Sequence, residues 1–168
     1  MTNLYYLDAN VLITAWHGYY SPAIAPTYWE WLAEMANKER IFCTEIVKEE
    51  IQNKDDDLAQ WIKSNPCIIR RLSDNSHAEE IQEKVRQIMV ECPTLVNFKK
   101  QKSEGDPFVI AHAWVAGATV VTKENRLSPK NRNMNIPDVC EHFSIPWLDD
   151  FGMLRELGVR FNISHRSS

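Results

Sequence analysis

Four carboxylates set the chemical question in this chain: Asp8, Glu50, Asp106 and Glu124. Asp8 stands in YYLDANVLI, where Tyr5, Tyr6, Leu7, Val11, Leu12 and Ile13 are the side chains a buried strand collects. A carboxylate there is costly to desolvate unless something compensates it. Glu50 follows Ile46 and Val47 at helical spacing, so it falls on the inward stripe of its helix while its neighbour Glu49 points away. Asp106 directly precedes Pro107 at the head of an apolar helix, and Glu124 comes just after the apolar run ATVVT. Each acid also has a plain reading: a strand-end turn for Asp8, a solvated helix pair for Glu49–Glu50, a helix cap for Asp106 and a loop acid for Glu124. Gathered in one crevice they would repel one another unless a cation joined them. Oxygen-only ligands suit Mg²⁺ or Mn²⁺, and the chemistry that follows is in-line hydrolysis of a phosphodiester, with the cation stabilising charge on the attacking and leaving oxygens.

The elements that must position these acids alternate. NLYYLDA reads as a first strand ending at Asp8, followed by a loop, HGYYSP, carrying Tyr19 and Tyr20 just after Trp16. APTYWEWLAEMANKER reads as a helix with Pro26 at its start, its Tyr28, Trp31, Leu32 and Met35 forming the apolar stripe and Trp29 lying off it. RIFCT is a second strand, and Thr44 caps a helix from Glu45 to Lys54. DDDLAQWIK is a further short helix, CIIRRL a strand, and SHAEEIQEKVRQIMVEC a helix opened by a Ser76…Glu79 capping box. KKQKSEG reads as loop, DPFVIAHAWVAG as a helix stopped by Gly117, and ATVVT as a buried strand. A surface loop from Lys123, a short helix IPDVCEHF, an edge strand SIPWL and a final helix DDFGMLRELG complete the chain, with FNISHRSS as a tail. Apolar strands alternating with helices predict an α/β fold in three layers, a mainly parallel sheet covered on both faces. Ligands in such sheets bind beyond the carboxyl ends of the strands, which gives Asp8 a crevice to occupy.

The order and spacing of YLDANVLI, TEIVKEEI, GDPFVIAHAWVAGATVVTKE and IPDVCEHFSI resemble the PIN-like domain nucleases, most of all the bacterial toxin-type group whose third acid sits in a Gly-Asp-Pro-Phe setting. The resemblance spans roughly residues 4–150 and implies residues 1–150 as a PIN-like nuclease domain, with 151–168 a C-terminal helix and tail of the same domain. It implies a metal-dependent endoribonuclease using Asp8, Glu50, Asp106 and Glu124, with Asp8, Asp106 and Glu124 as ligands to Mg²⁺ or Mn²⁺. Asn10 falls where the family has a small polar residue near the metal, and Thr122 where a hydroxyl can orient bound water. Two departures stand out: Glu at the fourth position, where Asp is common, and extra length in residues 52–75. The implied partners are an RNA substrate, a cognate antitoxin protein and a homodimeric second copy, with no membrane.

Charge and composition set further bounds. The 168 residues carry a formal charge of −4 and 44% hydrophobic side chains, ordinary globular values that argue against gripping nucleic acid through bulk positive potential. Basic residues are nonetheless clustered at Arg70–Arg71, at Lys99, Lys100 and Lys102, and at Lys123, Arg126, Lys130 and Arg132. Cys43, Cys67, Cys92 and Cys140 lack metal-finger or redox spacing and read as reduced thiols. With no secretory signal and no long apolar run, the expected location is cytoplasmic. Two other classes compete. A phosphatase-like enzyme with Asp8 as nucleophile wants an acid where Asn10 stands. A non-catalytic RNA- or protein-binding scaffold on the same fold would not need all four acids.

Overall fold

Five short strands build the centre: β1 (Tyr5–Leu7), β2 (Ile41–Thr44), β3 (Ile69–Arg70), β4 (Thr119–Val121) and β5 (Trp147–Leu148). The computed structural model describes residues 3–53, 56–96, 105–131 and 133–164. The strands lie in the order β3-β2-β1-β4-β5, and every neighbouring pair is parallel. The chain thus winds outward from β1 to β3, returns to the middle, and winds the other way through β4 to β5. The switch point falls between β1 and β4, where Leu7 sits opposite Val121. Asp8 and Thr122 therefore leave the sheet side by side, at the edge where doubly wound folds open a crevice.

Helices cover both faces. They are α1 (Ala9–His17), α2 (Pro26–Asn37), α3 (Glu45–Gln52), α4 (Asp56–Ser64), α5 (Ala78–Glu91), α6 (Asp106–Ala116), α7 (Ile136–His142) and α8 (Asp150–Glu156), with a 3-10 turn at Pro66–Ile68. The period-2 alternation of β1 shows the two covers. Tyr6 packs its ring against Phe42 and against His112 of α6, while Tyr5 points the other way and donates its hydroxyl to Glu156 at the end of α8. The result is the three-layer α/β/α arrangement expected from the alternating pattern. Helix α6 is apolar all round, with Val109, Ile110, Ala111 and Ala113 buried, as suits a helix wedged between the sheet and α5. Gly117 ends it at φ 61°, a left-handed turn that glycine adopts without strain.

Several local expectations need correction. The first strand ends before Asp8, and the apolar run after it, which the sequence pattern assigns to no element, is a helix: α1 begins at Ala9 and buries Val11, Leu12 and Ala15 on one face. Helix α2 stops at Asn37, because Glu39 turns left-handed at φ 55°. Ser76 does not cap α5. Asn75 instead accepts from the His77 amide, at 2.9 Å, and the helix starts at Ala78. CIIRRL spends its first half in the 3-10 turn, leaving a two-residue strand at the sheet edge. Trp29 is buried, because Trp16 of α1 and Trp61 of α4 close on it at ring distances of 4.7 and 4.9 Å. The KKQKSEG segment lies outside the described residues up to residue 104.

Candidate active site

Asp8 occupies the N-cap position of α1 in extended conformation (φ −73°, ψ 153°), with its side chain making no cap bond. Its backbone amide donates to Val121 O at 2.9 Å, which locks the end of β1 to the end of β4. The carboxylate is buried, and Thr122 Oγ1 donates to its Oδ2 at 3.4 Å. Thr122 is itself fully buried, and the same hydroxyl accepts from the Glu124 amide at 3.1 Å. One short polar chain thus runs from Asp8 through Thr122 to the backbone of Glu124.

The other two acids arrive from the flanking helices. Thr44 caps α3 by accepting from the Val47 amide at 3.3 Å, which starts the helix at Glu45 and sets its rotation. Val47 and Ile51 then face the core, Glu50 is half-buried and Glu49 is exposed. Glu50 Oε1 accepts from the Gly105 amide at 3.2 Å, immediately before Asp106. Asp106 is the first residue of α6 and is buried. The head of α6 therefore lies at the carboxyl edge of the sheet, beside α3. Glu124 Oε2 accepts from the Ile136 amide at 2.9 Å, at the start of α7. Asn135 and Asp138 form a capping box on that same helix end, a start signal readable in NIPD.

Electrostatics tie these positions together. Burial, first, and then the Glu124 and Glu50 carboxylates raise the Asp8 carboxyl from 3.8 to about 7, against the lowering pull of the Ala9 amide and the Thr122 hydroxyl. Glu50 and Glu124 thus lie close enough to Asp8 for their charges to act on its carboxyl. Asn10 is exposed on the first turn of α1. Among the described residues, no three Asp, Glu, His or Cys side chains stand close enough to enclose a metal ion by themselves. The donor set nevertheless suits a hard divalent cation: it is all oxygen, and Glu50 Oε2 and Glu124 Oε1 carry no hydrogen bond among the described residues. Mg²⁺ in particular is held by a few carboxylates and keeps several waters.

The basic clusters serve mostly elsewhere. Arg70 lies over the Phe42 ring and pairs with Glu39, Lys123 pairs with the buried Asp150, and Arg126 pairs with Glu141. Lys99, Lys100, Lys102 and Arg132 lie outside the described residues. A cleft of about 380 Å³ between α3, α4 and β3 gathers Lys48, Lys63 and Arg71 beside one acid, Asp74. Lys48 and Lys63 were not singled out by the sequence, because the residues that form this cleft are scattered over three elements. The HGYYSP aromatics serve packing in part: Tyr20 stacks on Tyr28 at 4.4 Å, while Tyr19 stays exposed.

The sequence profile of a family described as a domain of unknown function, DUF4411, matches residues 5–161. The chain belongs to this family. The matched span of the DUF4411 domain runs from the first residue of β1 past the end of α8, and so takes in all four acids together with Thr122. Comparison with curated proteins finds no match. Among the described residues, no helix of this DUF4411 chain is long and apolar enough to cross a membrane.

Proposed function

We propose that this protein is a Mg²⁺- or Mn²⁺-dependent endoribonuclease of PIN-like type, acting as the toxin of a toxin–antitoxin pair. The observation that carries the reading is Asp8: a buried carboxylate at the switch point of a parallel sheet, hydrogen-bonded to Thr122 and pushed up to about 7 with Glu124 and Glu50 among the causes. Such a site holds excess negative potential that a divalent cation relieves. In this reading Asp8, Asp106 and Glu124 hold the cation, which supplies Lewis acidity toward water and the scissile phosphate. Thr122 fixes the Asp8 carboxylate. Glu50, steadied at Oε1 by the Gly105 amide, keeps Oε2 to accept a proton from the attacking water. The toxin role, the antitoxin partner and a homodimer rest on the resemblance of the sequence to toxin-type PIN-like nucleases.

A second reading, a non-catalytic RNA- or protein-binding scaffold, is favoured by one observation. Glu50 and Glu124 each spend an oxygen on a backbone amide, which is what structural carboxylates do. Incubating purified protein with total bacterial RNA in Mg²⁺, Mn²⁺ or EDTA separates the two. Discrete fragments that need metal and vanish in Asp8→Asn and Asp106→Asn are expected. Absence of both cleavage and Mn²⁺ binding in the folded protein selects the scaffold.

A further inference from the structure

A groove of about 310 Å³ opens between α3, the segment after β3 and α6, beside the candidate active site. Its two walls are helix faces. Glu45 and Glu49 stand one turn apart on α3, and Phe108 and His112 one turn apart on α6, with all four lining the groove. These are the helices that carry Glu50 and Asp106, and Thr44 at the end of β2 closes the groove toward the sheet edge that holds Asp8.

Three features mark the groove as built for a ligand. The Nδ1 of His112 is buried without a hydrogen-bond partner, an uncompensated polar atom in a ring packed against Tyr6. Burial holds that imidazole down at about 4, so it is neutral at physiological pH and does not offset the acids opposite. Glu45 is fixed in place, its Oε2 accepting from the Leu72 amide at 3.0 Å, whereas Glu49 is exposed and its carboxylate makes no hydrogen bond or ion pair among the described residues. The groove thus offers the half-buried Phe108 ring on one wall, with one anchored and one unengaged carboxylate on the other. Like charges one turn apart on a helix repel mildly, and hydrogen-bond donors of a ligand would relieve them.

We propose that this groove is a base-reading pocket selective for guanine at a nucleotide flanking the scissile phosphate, with Glu49 as the reading residue. This rests on the ribonuclease reading above. Single-stranded RNA is recognised by splayed bases that stack on aromatic side chains and hydrogen-bond along their edges. Guanine presents two adjacent N–H donors, N1 and the 2-amino group, which one carboxylate accepts together. Adenine and cytosine set a single amino donor beside an acceptor, and uracil flanks its one N–H with carbonyl oxygens that a carboxylate repels.

The test uses the metal-free protein with guanosine, inosine and uridine as probes, so that no phosphate meets the acid cluster. The ring resonances of His112 and Phe108 are followed by NMR. Guanosine is expected to shift them saturably; inosine, which lacks the 2-amino donor, about tenfold more weakly for one lost hydrogen bond of ~1.4 kcal/mol; and uridine not at all. Glu49→Gln, at an exposed position, is expected to weaken guanosine binding by a similar factor while leaving melting unchanged. Equal shifts from all three nucleosides, or none, overturn the proposal. A response to N-acetyl-arginine amide but not to guanosine also overturns it, assigning the groove to a basic peptide. If RNA is never cleaved yet guanosine binds as described, the ribonuclease reading fails and the guanine pocket stands.

Discussion

Thr122 and Asp8, 114 positions apart in sequence, meet through a hydrogen bond of 3.4 Å inside the protein. The contact follows from β1 and β4 being parallel neighbours in register, Leu7 against Val121, so that the next residue of each strand exits at the same point. The Thr122 hydroxyl also accepts from the Glu124 amide, so one side chain fixes both an acid and the backbone that carries another.

Thr122→Val keeps the shape and removes both bonds. Losing the partner of a carboxylate that holds a metal typically costs 10–100-fold in activity or metal affinity, so cleavage is expected to fall by roughly that factor. The Glu124 amide, left unpaired, adds about 1–3 kcal/mol of destabilisation. Thr122→Ser, which retains the hydroxyl, should recover most of both. Serine failing where valine fails would show that the methyl packing matters and the hydroxyl does not.

Asp8 makes stability depend on pH in an unusual direction. Its carboxyl is raised in the folded state, so between pH 3.8 and about 7 the folded chain holds a proton that the unfolded chain has lost. The metal-free protein therefore loses stability as pH rises through that window, by ~1.4 kcal/mol per unit and roughly 4 kcal/mol in all. Asp8→Asn should stabilise the EDTA-treated protein strongly at pH 8 and little at pH 4, as read from urea midpoints. Equal stabilisation at both pH values would mean that the charge of Asp8 is not the cost. Added Mn²⁺ should stabilise the wild type at pH 8 and leave Asp8→Asn unmoved.

Lys48, Lys63 and Arg71 gather in one cleft on a chain whose formal charge is −4, and on the ribonuclease reading they would contact the RNA backbone. Each phosphate neutralised on a single strand contributes about −0.7 to the slope of log affinity against log salt. Replacing all three by Ala is expected to flatten that slope by up to about 2 for an RNA oligonucleotide, while Asp8→Asn leaves it unchanged. An unaltered slope would place the RNA path on another face.

The alternation of apolar runs and helical stripes was enough to read a parallel sheet with Asp8 at the end of its first strand, because buried parallel strands carry that pattern directly. The inward choice of Glu50 over Glu49 was legible for a similar reason: Val47 and Ile51 fix the rotation of α3. What stayed hidden depends on tertiary neighbours. VLI after Asp8 reads equally as strand or helix, since a short apolar run lacks the length that separates the two periods. Trp29 looked off-stripe because no local signal announces that α1 and α4 close on it from the side. The groove opposite Glu49 was invisible, since its walls are contributed by helices about sixty residues apart.

Gly105 offers a way to move Glu50 without touching any acid. Its backbone is ordinary (φ −78°), so alanine is not strained there, but an added Cβ would lie 3.0 Å from Glu50 Oε1 and 3.3 Å from Ile46 Cγ2. The carboxylate is the end of a flexible side chain, so it is the group that yields, and it gives up the Gly105 amide as it swings. If Glu50 is the proton acceptor, Gly105→Ala should cut kcat on RNA by 10-fold or more, within the ~10²–10⁴ range of general-base contributions. Because Glu50 is only half-buried, the melting temperature should shift little, and if Asp8, Asp106 and Glu124 are the metal ligands, Mn²⁺ affinity should hold. A fall in metal affinity matching the fall in rate would instead make Glu50 a metal ligand, and unchanged kcat would remove it from the chemistry.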